Sequence, residues 1–370
     1  MKKYLIIPIV AFVVLIFFIG IYVGSAEIFP YEILKSLKSQ VDRTLYDSKA
    51  DIIAGFHPEL LIKLETRDDV FMKKTELKNY IWKQNELPNN VPIERGVTED
   101  GFYNFENLER IDILEVKMEH DLNSIIYVFH PTENNKKLII YHQGHSGGFN
   151  NGKTTIGKFV DSGYTVAALS MPLIGMNNQP IIDIKNIGPI KMQKHGQFEF
   201  LKTNEFSPLK YFFEPINQML NYFDKNFEFS EYNMIGISGG GWTATVYPAI
   251  DDRISNSFAI SGSIPLPLRY LIQDIGDWEQ NNIHMLNISN YLELYIMSSF
   301  GENREFVQIF NRYDPCCFGG TPFELYEDEV KRNLQKIGPG EFSVYLDESH
   351  REHKISKEVV DVVLEKLKDD

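Results

Sequence analysis

From residue 111 onward the chain alternates short apolar runs with longer segments in which apolar positions recur every three or four residues. The runs at 111–118, 124–130 and 137–142 predict strands, the first two joined by the short turn 119–123. Two antiparallel strands followed by a strongly apolar third imply a sheet that becomes parallel and buried. Helical and extended patterns then alternate. Helix 154–161 leads to strand 164–169, helix 209–227 to strand 233–237, and helix 243–250 to strand 254–260. Strand 305–310, helix 324–336, strand 341–346 and helix 357–368 complete the series. Such alternation predicts a mostly parallel sheet with helices on both faces. Two stretches, 171–206 and 263–304, interrupt it, the second with helical patterns at 266–275 and 291–300. Both leave the carboxyl ends of strands, where open α/β sheets bind ligands, so a cap over a site is expected there.

The amino-terminal part has a different pattern. Residues 4–24 are almost unbrokenly apolar behind Lys2 and Lys3. At about 1.5 Å per residue a helix of that length spans a hydrocarbon core of about 30 Å. An uncleaved transmembrane anchor is expected, with the two lysines on the cytoplasmic side and the globular part extracytoplasmic. Secretion after cleavage near Gly24-Ser25-Ala26 is the alternative. Residues 31–45 carry one apolar helical face, and 50–108 are mixed and polar without a motif. The expected layout is therefore an anchor or signal segment at 1–26, a helical or irregular extension at 27–110, and an α/β domain at 111–370.

Composition changes this picture little. With 370 residues, 43% hydrophobic and 24% charged, the chain suits one large α/β domain with insertions. A net charge of −14 argues against nucleic acid as the main partner. The two cysteines, Cys316 and Cys317, are adjacent. Neighbouring Cα atoms are closer than a disulfide prefers, so packed free thiols are expected. With no second cysteine pair and no spaced histidine cluster, neither a metal nor any other cofactor is expected.

Chemistry enters at Gly236-Ile237-Ser238-Gly239-Gly240, which fits G-x-S-x-G between a predicted strand and a predicted helix. A serine on such a sharp turn needs small residues on either side of it, because strand and helix nearly touch there. Its hydroxyl is a weak nucleophile until a histidine takes the proton, and that imidazole needs a carboxylate to orient it. Asp314 follows strand 305–310, and Pro315 stops the strand from continuing. Two histidines follow the last strand, His350 and His353. His353 is preferred because the loop must reach back across the sheet edge, and His350 is kept as the alternative base. The oxyanion of acyl transfer needs preorganised amides. The candidates are Gly239, after the nucleophile, and His145 or Gly144 in the loop His142-Gln143-Gly144-His145-Ser146-Gly147-Gly148.

The order of these parts, glycine-rich loop at Gly144, elbow at Ser238, acid at Asp314 and base at His353, resembles the α/β-hydrolase family over about residues 111–370. That resemblance implies a mostly parallel central sheet of about eight strands and a Ser-Asp-His triad. The oxyanion loop reads His-Gln-Gly-His instead of the lipase-type His-Gly-Gly-Gly, and the final histidine lacks the glycine that often precedes it.

The expected function is serine hydrolysis of a carboxylic ester through an acyl-enzyme, the partners being a small-molecule ester and, through the anchor, a membrane. A peptidase or amidase using the same triad is an alternative. So is a catalytically silent binding protein on the same fold. A third arises because residues 147–154 satisfy the P-loop expression G-x-x-x-x-G-K-[ST], with Lys153 as the phosphate ligand. A P-loop begins directly at the end of its strand, however, whereas His142 to Ser146 intervene here.

Overall fold

A computed structural model describes residues 55–98, 101–269 and 276–368, together with Phe18 and Gly20. The expected anchor over 4–24 and the helix over 31–45 lie outside these residues, Phe18 and Gly20 apart. Among the described residues no helix is long and apolar enough to cross a membrane.

Nine strands form one sheet: β1 (Ile93–Thr98), β2 (Leu108–Lys117), β3 (Asn123–Pro131), β4 (Lys137–His142), β5 (Thr165–Leu169), β8 (Glu231–Ile237), β9 (Ile254–Ile260), β10 (Glu305–Asn311) and β11 (Glu341–Asp347). Their order is β1-β2-β3-β5-β4-β8-β9-β10-β11. The pairs from β1 through β3 to β5 are antiparallel, and every pair from β5 to β11 is parallel. The sheet thus has nine strands where about eight were expected. The additional one, β1, was not visible because its residues are almost all exposed and a register shift between Glu94 and Gly96 breaks the two-residue period. The hairpin β6 (Ile181–Ile184) and β7 (Gly188–Lys191) forms a second, two-stranded sheet within the first interrupting stretch.

The parallel strands are apolar throughout because both of their faces are covered. In β4, Leu138 and Ile140 enter one buried cluster while Ile139 and Tyr141 enter the other. The second cluster is closed by helices α2 (Lys153–Asp161) and α7 (Lys357–Lys366), through Ile156, Phe159, Val360 and Val363. The first is closed by α3 (Lys210–Asn226), α4 (Gly239–Val246), α5 (Tyr291–Ser299) and α6 (Glu327–Ile337). One helix from the motif-free stretch, α1 (Arg67–Trp82), starts with a capping box between Thr66 and Asp69. It is strapped down by Lys73 on Glu293 at 2.9 Å and by Tyr80 on Asn282 at 3.0 Å.

The register brings the carboxyl ends of the central strands level: His142 lies opposite Gly236, Ile237 opposite Ile260, and Asn311 opposite Asp347. All the chemistry anticipated from the sequence leaves the sheet along this edge.

Candidate active site

Ser238 directly follows β8 with φ 58° and ψ −122°, a conformation costly for a residue with a side chain, and α4 begins at the next residue. Glycine is required around it by the space available. A Cβ on Gly236 would sit inside the Gly240 carbonyl, one on Gly240 inside the His142 carbonyl, and one on Gly144 2.6 Å from the Ser238 Cβ. The strain is held by the Ser238 N–H donating to the Ile260 carbonyl at 2.9 Å and by Trp242 N–H donating to the Ser238 carbonyl at 2.9 Å. Trp242 itself is completely buried, anchoring the helix behind the serine. Among the described residues the Ser238 Oγ has no hydrogen-bond partner.

Asp314 and His353 come together although 39 residues separate them: His353 Nδ1 lies 2.7 Å from Asp314 Oδ2. The loop after β11 folds back over the end of β10, where Asn311 Nδ2 donates to the Lys354 carbonyl at 2.9 Å. Asp314 Oδ1 accepts the Cys316 N–H at 2.7 Å. Burial pushes the Asp314 carboxyl up, but the His353 imidazole and the Cys316 N–H outweigh it and hold the group below its usual 3.8. The far ring nitrogen of His353, Nε2, is buried without a hydrogen-bond partner. His350 is held elsewhere: its Nε2 lies 3.1 Å from Asp347 Oδ2, and its Nδ1 accepts the Glu352 N–H at 3.1 Å. The expectation of free thiols is corrected, since Cys316 and Cys317 are joined as a disulfide.

The loop after β4 lies against the elbow. A Cβ on Gly144 would be 3.2 Å from the Gly239 nitrogen, and one on Gly239 would be 2.5 Å from Cε1 of the His145 ring. The first helical hydrogen bond of α4 is that of Trp242, which leaves the Gly239 amide outside the helical ladder. Among the described residues the Gly144 and His145 amides donate to no acceptor either.

No family model matches the chain, and no curated protein does. Solved structures do match. Acetyl xylan esterase 1 from Thermoanaerobacterium sp. JW/SL YS485 superposes with a TM-score of 0.56 at 12% identity, covering 83% of this chain and 96% of its own. Acetyl xylan esterase from Paenibacillus sp. R4 gives 0.54 at 12% identity, covering 84% of this chain and 98% of its own. The methylesterase BT1017 gives 0.50 at 12% identity, covering 87% of this chain and 67% of its own. The chain has the α/β-hydrolase fold.

Within this α/β-hydrolase fold, one group of side chains beside the elbow was not anticipated. His145 Nε2 lies 2.8 Å from Glu279 Oε1, and His195 Nδ1 lies 3.1 Å from Glu279 Oε2. Glu279 belongs to the second interrupting stretch and His195 to the first, so both are linked through the loop that carries Gly144. Burial acts to raise the Glu279 carboxyl, yet the two imidazoles outweigh it and pull it down to about 2. Burial likewise acts to lower His195, but Glu279 outweighs it and raises the imidazole above its ordinary value. No local signal reveals such a cluster, because its members stand 50 and 84 residues apart. His142, at the end of β4, is buried and pushed down to about 4.

The P-loop reading finds no cradle. Residues 149–152 form a turn of 3-10 helix, and a Cβ on Gly152 would collide with the Tyr141 ring. Lys153 Nζ reaches Asn104 at 3.3 Å and sits over the Phe102 ring at 4.4 Å.

Proposed function

We propose that the chain is a carboxylic ester hydrolase working through an acyl-enzyme intermediate. Ser238 attacks the ester carbonyl, His353 takes the hydroxyl proton and returns it to the leaving alcohol, and Asp314 holds the imidazole with Nδ1–H directed at itself. The Gly239 amide, with that of His145 or Gly144, receives the oxyanion. Water then attacks the acyl-enzyme with the same base, releasing the acid. The observation that carries this reading is the strained, glycine-walled Ser238 at the same sheet edge as the His353–Asp314 pair, whose outer nitrogen is unpartnered.

Small acyl or alkyl esters are the proposed substrate class. The support is that two structural neighbours are named acetyl xylan esterases and a third a methylesterase. The apolar run 4–24 supports a further part of the proposal, that the catalytic region is held at the extracytoplasmic side of a membrane.

A fluorophosphonate probe tests the mechanism. Labelling of the folded chain that disappears in Ser238→Ala supports it, and labelling that persists in that variant excludes Ser238 as the nucleophile. Lys153→Ala should leave turnover of an aryl acetate within about twofold of the parent, since a surface residue away from the site contributes nothing to the chemistry. A nucleotide requirement would refute the assignment.

A further inference from the structure

His145, His195 and Glu279 converge from three separate stretches onto one point beside the elbow. Their facing atoms, His145 Nε2, His195 Nδ1 and the Glu279 carboxylate, form a triangle. The nitrogens stand 3.3 Å apart, and each meets a different oxygen of the carboxylate, His145 Nε2 with Oε1 at 2.8 Å and His195 Nδ1 with Oε2 at 3.1 Å. Ligands held 2.0–2.1 Å from a tetrahedral zinc ion lie about 3.3 Å from one another. The nitrogen–nitrogen separation is therefore that of one edge of such a tetrahedron, and the carboxylate lies within 4.8 Å of both nitrogens, where it can supply a third ligand.

The outer nitrogens of both rings are held as well. His195 Nε2 lies 2.9 Å from the Pro172 carbonyl, and His145 Nδ1 lies 3.4 Å from Asp277 Oδ2. Metal-binding histidines are oriented in this way, one nitrogen donating to a carbonyl or carboxylate so that the other presents its lone pair to the ion. Hydrogen bonding alone serves the cluster less well. All four ring nitrogens then face acceptors, while two of them also face each other at 3.3 Å. A cation inside the triangle turns that opposition into shared coordination. Glu279 is fully buried, and among the described residues its side chain has no other hydrogen-bond partner than the two histidines.

We propose that His145, His195 and Glu279 bind one divalent transition-metal ion, with water at the fourth position. Two imidazoles and one carboxylate select zinc, cobalt or nickel over magnesium or calcium, which prefer all-oxygen sites. The ion ties the loop carrying Gly144 and His145 to both stretches that interrupt the α/β alternation. This inference does not depend on ester hydrolysis, and its test needs no substrate.

The full chain, stripped with chelator and freed of it, is titrated with zinc chloride by calorimetry, and its metal content is measured after desalting. Cobalt(II) is added in parallel, and its visible absorption reports tetrahedral coordination. One ion per chain is expected, with an intense tetrahedral cobalt spectrum and at least a tenfold weaker affinity in Glu279→Gln, about what loss of a coordinating or supporting group causes. His145→Ala, at a partly exposed position, gives the same readout should the buried Glu279→Gln fail to fold, and circular dichroism verifies folding of both. The proposal is overturned if the parent binds no zinc, if its cobalt spectrum is octahedral, or if the folded variants bind as the parent does. Running the titration on Ser238→Ala as well separates this result from the fate of the hydrolase reading.

Discussion

Two histidine–aspartate pairs stand three residues apart on the loop after β11, and they differ in what remains of each imidazole. In the His350–Asp347 pair the aspartate is local. It ends β11, accepts the Ser349 N–H at 2.8 Å, and lies 3.1 Å from Nε2, while the other ring nitrogen accepts a loop amide from Glu352. Nδ1 is hydrogen-bonded and Nε2 faces the carboxylate at ion-pair distance without a hydrogen bond, so this pair belongs to a local turn. In the His353–Asp314 pair the aspartate comes from the turn after the neighbouring strand β10, and the contact at 2.7 Å uses Nδ1 alone. Nε2 is left buried and unpartnered. The proposed base needs a carboxylate on one nitrogen and a free lone pair on the other; His353 meets Asp314 through Nδ1 and leaves Nε2 outward, whereas in His350 the carboxylate lies at Nε2 and Nδ1 is taken by the Glu352 N–H.

The contrast is broken or sharpened most directly by His353→Ala, for which kcat on an aryl acetate should fall by about 10⁵- to 10⁶-fold, as when a triad member is removed. A loss below about a hundredfold would return the role of base to His350. Asp314→Asn should cost about 10⁴-fold in kcat, because an amide no longer selects the tautomer with Nδ1 protonated. Steady-state kinetics on purified protein measures both. His350→Ala should lower kcat less than about tenfold but reduce stability by about 1–3 kcal/mol, the usual cost of leaving a buried polar partner unsatisfied. Denaturant unfolding reads that term, and an unchanged midpoint would mean that the pair does no structural work.

The smallest effect is one of pH. The Asp314 carboxyl lies below its usual 3.8 in the folded chain, so its stabilising contribution is complete above that value and is lost as the pH falls through the lower folded value. The difference in unfolding free energy between parent and Asp314→Asn should therefore be constant from about pH 5 upward and shrink below about pH 4. A difference that grows on acidification would mean the carboxyl is raised, and the pairing with His353 would have to be abandoned.

Much of the sheet was readable because its signals are local. The apolar runs at 137–142 and 254–260 coincide with β4 and β9, and the helical periods at 154–161 and 209–227 fall within a residue of α2 and α3. A two-residue or a three-to-four-residue period is written by consecutive side chains, and burial on both faces of a parallel sheet makes it strong. Where burial was one-sided or absent, as in the exposed, bulged β1, the pattern vanished and the strand was missed. Helix α1 was missed for a related reason: it lies at the surface with only part of one face buried, and Lys74 is among its buried residues.

The sequence alone specified that a serine flanked by glycines follows one strand, an aspartate a later one, and two histidines the last, since each statement concerns a residue and its immediate neighbours. Which histidine meets Asp314 was decided by the fold. So was the gathering of His145, His195 and Glu279 from three distant stretches. Distances of 2.7 to 3.3 Å between such groups depend on how loops fold back over the edge of the sheet, and that path is set by packing and hydrogen bonds such as Asn311 to Lys354. No periodicity in the chain encodes it.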